Sequence, residues 1–172
     1  STVPTSPALP AIAAARKLNR GFEALALTSD GGALAVMFQS PLAHPDRAAL
    51  EAGDVVRLWL LDAASGALIA EHAYPLDPPE AFRRDCAAGP VARSDIKVSE
   101  IAFAADGSLL VLERVTRSTR IHRVTLDPAT RLPARMADPA QRPTLEQLGQ
   151  SGAAQAGLPL LAKTLVLSTD DL

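Results

Sequence analysis

Apolar and polar positions alternate along most of this chain in short runs separated by turn residues. From Phe22 onward the alternation predicts strands. Glu23–Thr28 reads as a strand, Ser29-Asp30-Gly31-Gly32 as a tight turn and Ala33–Gln39 as a second strand, because Asp-Gly between two apolar runs is a strong hairpin signal. A loop with Pro41, Pro45 and Asp46 follows. Val55–Leu61 then reads as a third strand, Asp62–Gly66 as a turn and Ala67–Tyr74 as a fourth. Ahead of all this, residues 1–18 read as a Pro/Ala-rich lead-in, in which Ala11–Leu18 suits a short helix or an extended segment.

The same order recurs. Val98–Ala104 is predicted as a strand, Asp106-Gly107 as its turn, Leu109–Arg114 as a strand and Arg120–Leu126 as a third, with a turn from Asp127-Pro128. Ala24–Gly31 lies over Glu100–Gly107, and Arg57–Asp62 lies over His122–Asp127. A longer loop, Arg131–Pro159, contains Thr144-Leu145-Glu146-Gln147 after Pro143, the Thr-x-x-Gln form of a capping box, which predicts a short helix. Lys163–Ser168 supplies the fourth strand. A repeated unit of four short strands is the pattern of propeller blades. The expected fold is therefore all-β: about two four-stranded blades of a β-propeller in an incomplete ring, with one short helix in a long loop. Within residues 19–172, blade one covers about 22–77 and blade two about 95–168. Two blades cannot close a ring. The remaining blades come either from further polypeptide, the favoured reading, or from other copies of the chain.

Composition narrows the partners. A net charge of −2 lacks the basic excess expected of a nucleic-acid binder. No run of 18 apolar residues predicts a membrane span. Ser1–Pro10 lacks the basic start and apolar core of a secretory leader. Cys86 is the single cysteine and has no disulfide partner within the chain.

Candidate chemistry gathers at one end of the predicted strands. Folding the second hairpin about Asp106-Gly107 sets Glu100 opposite Glu113 and Ser99 opposite Arg114; the first hairpin sets Glu23 near Phe38 and Gln39. Opposed carboxylates repel unless a cation, a shared proton or a basic group compensates. Lys97 and Arg114 are at hand, and a hard ion such as Ca²⁺ would serve equally. Glu23, Glu100 and Glu113 are thus expected as acid/base groups, with Glu100 and Glu113 doubling as metal ligands. Arg20, Arg114 and Asn19 are expected to bind substrate, Arg20 being able to clamp an anion bidentately. The plainer alternatives are an inter-blade Glu113–Arg114 ion pair that only organises the rim, and a Glu23 that bonds loop amides. His44, His72 and His122 show no metal-ligand spacing, Ser94-x-x-Lys97 precedes a strand rather than lying on a helix, and Asp30, Asp62, Asp106 and Asp127 are turn residues.

Six segments also carry a resemblance. Asn19–Leu27, Gln39–Leu42, Tyr74–Asp77, Lys97–Ile101, Leu110–Arg114 and Ala162–Leu165, in this order, resemble the phytase-like family, described as having esterase-like activity. The resemblance implies a propeller, of which this chain resembles the C-terminal part. It also implies an exported bacterial protein, periplasmic or extracellular, that hydrolyses a small ester or phosphate ester, and a divalent ion, Ca²⁺ by similarity to propeller phytases. The competing expectation is a non-catalytic propeller module whose rim binds a ligand or partner protein.

Overall fold

In the computed structural model, which describes residues 9–172, β1 (Phe22–Leu27) and β2 (Ala33–Phe38) fold about Gly31, whose φ of 72° lies where a side chain would be strained. The reading of Ser1–Pro10 falls, but for its last two residues, outside the described part. β3 (Val55–Asp62) and β4 (Leu68–Pro75) complete an antiparallel sheet of order β1-β2-β3-β4. β5 (Lys97–Phe103), β6 (Leu109–Arg114), β7 (Thr119–Val124) and β8 (Lys163–Ser168) repeat it as a second sheet of the same order. The fold is mostly β, two four-stranded antiparallel sheets, with few helices. Among the described residues no helix is long and apolar enough to cross a membrane.

The helices correct the expectation of a single one. The capping box forms as predicted: Thr144 Oγ1 accepts from Gln147 N at 3.2 Å, and Gln147 Oε1 accepts from Thr144 N at 3.0 Å. Two further helices, α1 (Arg47–Ala52) and α2 (Arg83–Ala88), precede this α3 (Leu145–Gln155). Six residues are too few to display a helical period, and such helices persist only through tertiary packing. The one local signal was Asp46, whose carboxylate caps α1 by accepting from Ala49 N at 3.0 Å.

The registers show how the repeat works. Both hairpins carry a bulge at the same place, Glu23 between the paired Phe22 and Ala24, and Ser99 between the paired Val98 and Glu100. Leu27 faces Leu34 where Phe103 faces Leu109, so the first turn is one residue longer. Carrying the ladders across, Val36 faces Trp59 where Val111 faces His122. Trp59 therefore corresponds to His122 and Arg57 to Arg120. The predicted overlay of the third strands is two residues out of step, because the matching Asp residues sit in turns of unequal length.

The sheets pack face to face. Tyr74, Leu58 and Met37 of the first and Val98, Val111 and Val124 of the second are all buried in one core. The 131–161 connection then returns to the first sheet. Leu132 N donates to Glu71 O at 2.7 Å and Leu161 N to Ala73 O at 2.9 Å, so this segment occupies the outer edge of β4. It is pinned by a buried ionic knot. Arg57 donates to Glu146 Oε1 at 2.7 Å, Glu71 Oε1 at 2.6 Å and the Met136 carbonyl at 2.8 Å, while Trp59 Nε1 donates to Glu71 Oε1 at 2.8 Å. Burial alone would lower the pKa of Arg57, but Glu146 and Glu71 outweigh it and hold the guanidinium charged. Removing it would strand two buried carboxylates. Arg57→Met should lose about 3–5 kcal/mol of stability in urea unfolding; a loss below ~1 kcal/mol would show that the carboxylates do not depend on it.

Candidate functional site

Where the two sheets meet, a polar cluster interrupts the apolar seam. The β6 bulge partner Glu113 is wholly buried. Its Oε1 accepts from the Tyr74 hydroxyl and from Lys163 Nζ, each at 2.5 Å, and its Oε2 accepts from Asp77 N at 3.0 Å. Asp77, just past β4, accepts from Lys163 Nζ at 2.7 Å, Arg120 Nε at 2.6 Å and His122 Nε2 at 3.0 Å. Burial alone would raise the Asp77 carboxyl, but the bonds from His122, Lys163 and Arg120 outweigh it and hold it well below the usual carboxylate range. Burial, then the facing charge of Glu113, pushes the Tyr74 hydroxyl up and keeps it a donor.

Asp77, Glu113 and His122 form a candidate metal-binding triad, with one ligand atom from each lying within 4.8 Å of the others. Calcium does not fit it. That ion takes six to eight oxygen ligands; here one donor is a ring nitrogen, and both carboxylates already hold the Lys163 ammonium. Nitrogen with carboxylate oxygen suits first-row transition metals instead.

The predicted pairing of Glu100 with Glu113 does not form. The Ser99 bulge puts Glu113 opposite Val98 and Glu100 opposite Leu112, so the two carboxylates lie on different faces. Glu100 is exposed and accepts from Ile101 N at 3.0 Å. The expected Glu113–Arg114 ion pair is also absent, since Arg114 instead donates to Ser99 Oγ at 2.8 Å and to the Val115 carbonyl at 3.1 Å. Ser99 and Arg114 thus meet as expected, through side chains rather than by pairing.

The other predicted residues surround the strand starts. Asn19 takes φ 63° in a tight turn closed by Arg20 N on the Lys17 carbonyl at 2.9 Å. That turn sends the Arg20 guanidinium to the Ser94 carbonyl at 2.6 Å, three residues before Lys97. Glu23 is exposed on its bulge beside Phe22, which faces Phe38. With Asn19 and Arg16 it lines an open cleft of about 470 Å³. Lys97 faces Arg114 across β5 and β6. Burial, then the charges of Arg20 and Arg114, hold the Lys97 ammonium below its usual value.

A family model described as Phytase-like: Esterase-like activity of phytase matches residues 1–172, the whole chain. The chain belongs to the phytase-like family. No curated protein and no solved structure matches it.

The phytase-like chain hides its seam from simple sequence reasoning. Asp77 and Lys163 come from segments that carry the family resemblance, yet their meeting depends on how the sheets stack. One signal was legible: Arg120, His122 and Val124 alternate on one face of a strand whose Val124 is buried, placing two polar groups toward the core. Tyr74→Phe removes a buried bond to a charged group and should cost about 1.5–3 kcal/mol in denaturant melts. The depressed Asp77 carboxyl contributes stability that is complete above its unfolded value of about 3.9 and lost as pH falls toward its folded value. Unfolding free energies measured below pH ~4 should therefore fall less steeply in Asp77→Asn than in the unaltered chain; equal slopes would contradict the assignment.

Proposed function

We propose that this phytase-like chain is part of an exported β-propeller that hydrolyses a small anionic ester, with phosphate esters as the preferred class. The observation that carries the reading is the group of cations at the strand starts. Lys97 and Arg114 oppose each other across two strands, Arg20 stands close enough to shift Lys97, and none of the three has a carboxylate within salt-bridge distance among the described residues. Like charges opposed on a sheet repel. The nearby Asp95, whose carboxylate accepts from Ala92 N at 2.9 Å, offsets the repulsion at Lys97 only in part. An arriving anion would relieve the repulsion, and arginine suits phosphate oxygens through its planar fork of donors.

Within this reading Arg20, Lys97 and Arg114 hold the anion, and Asn19 shapes the turn that aims Arg20. Glu23, exposed in the cleft, is the acid/base group; Glu100 stands on the open face as a second candidate. Glu113, buried and bonded to Tyr74, Asp77 and Lys163, holds the sheets together rather than touching substrate. Leu25 and Leu27 on the first sheet, and Leu165, Val166 and Leu167 on the second, are exposed apolar residues that suit packing by further blades or other copies of the chain.

The test is turnover of p-nitrophenyl phosphate and p-nitrophenyl acetate, with and without a chelator. The reading expects phosphate-ester turnover whose KM rises roughly tenfold or more in Arg114→Ala and Lys97→Ala, as for loss of a charge-assisted bond of about 1.5–3 kcal/mol. Glu23→Gln should lower kcat roughly 10²-fold or more, the usual worth of a general acid or base. Phosphate binding without turnover would favour the non-catalytic module. Activity restored after chelation only by Ca²⁺ would reinstate the calcium expectation at a place other than the seam.

A further inference from the structure

We propose that the Asp77–Glu113–His122 seam is a cation site whose resident cation is the Lys163 ammonium, and that removing this ammonium turns it into a site for a divalent transition metal. The proposal stands apart from the hydrolase reading.

The repeat supplies the first reason. The ladder positions of Glu113 and His122 are held in the first sheet by Phe38 and Trp59, whose rings meet edge to face at 5.2 Å. The four-strand unit thus accepts an aromatic pair here. A buried carboxylate and imidazole in the same places carry a desolvation cost that the fold does not demand. The Tyr74 hydroxyl and the Asp77 amide bond the carboxylate, and a cation among them balances its charge.

Histidine geometry supplies the second. Asp77 Oδ2 accepts from His122 Nε2 at 3.0 Å, which leaves Nδ1 turned inward. That nitrogen is buried without a hydrogen-bond partner, and Glu113 Oε1 lies 3.5 Å from it. Imidazoles that bind metals are held this way, one nitrogen bonded to a carboxylate and the other free for the ion.

Lysine supplies the third. Lys163 Nζ lies 2.5 Å from Glu113 Oε1, the oxygen that would join His122 Nδ1 on an ion, and 2.7 Å from Asp77 Oδ1. With Arg120 on Asp77, two cations balance two carboxylates. Deleting Lys163 leaves one uncompensated negative charge beside an unused nitrogen donor. A ring nitrogen with carboxylate oxygen suits cobalt or zinc better than calcium.

The experiment adds Co²⁺ to the full chain, to Lys163→Met and to the double variant Lys163→Met with His122→Gln, reading visible absorbance and thermal unfolding. The unaltered chain should give no His122-dependent cobalt band. Lys163→Met should bind one Co²⁺ with a visible band and a raised Tm, and loss of His122 should weaken binding roughly 10- to 100-fold. Should Lys163→Met be unfolded in chelator, Co²⁺ is expected to restore its folded circular-dichroism spectrum, and failure to do so counts against the proposal. A His122-dependent band in the unaltered chain, or a folded Lys163→Met without one, would overturn it.

Discussion

A carboxylate with no access to water must have its charge compensated inside the protein, and Glu113 sets that constraint for this fold. It lies wholly buried between the two sheets, bonded to Tyr74 and the Asp77 amide of the first and to Lys163 of the second. The carboxylate therefore ties the sheets to each other in one orientation. Apolar packing brings the faces together without direction. The bonds at Glu113 specify which residue of β6 meets which end of β4, at the cost of keeping Lys163 and Arg120 in place around them.

A second buried charge organises the opposite side of the first sheet. Arg57 gathers Glu71 and Glu146, and Glu146 belongs to a connection between β7 and β8. The chain thus leaves the second sheet, covers the outer edge of the first, and returns to finish the second with β8. The two sheets are consequently linked twice, by their shared core and by this strap. Arg57 and Arg120 hold equivalent ladder positions, so one repeated arginine serves both links, facing different partners in each sheet.

Much of this was legible in the sequence, for stated physical reasons. Asp-Gly turns and alternating apolar runs located all eight strands, and Thr144 with Gln147 announced α3. The bulges were not legible. One inserted residue at Ser99 leaves the strand's composition unchanged but moves Glu113 from Glu100 to Val98. Lys97 and Arg114 share one end because the Asp106-Gly107 turn sets the start of β5 beside the end of β6. The seam was not legible, because Asp77, His122 and Lys163 are distant in sequence and meet only through the stacking of two sheets.

The most direct measurement is of the Lys163 ammonium itself, by proton–nitrogen NMR with selectively labelled lysine. An ammonium held by Glu113 and Asp77 and lying 5.0 Å from the centre of the Tyr74 ring should give a resolved, slowly exchanging signal, displaced by the ring and lost in Glu113→Gln. A Lys163 signal exchanging as fast as those of surface lysines would contradict the account.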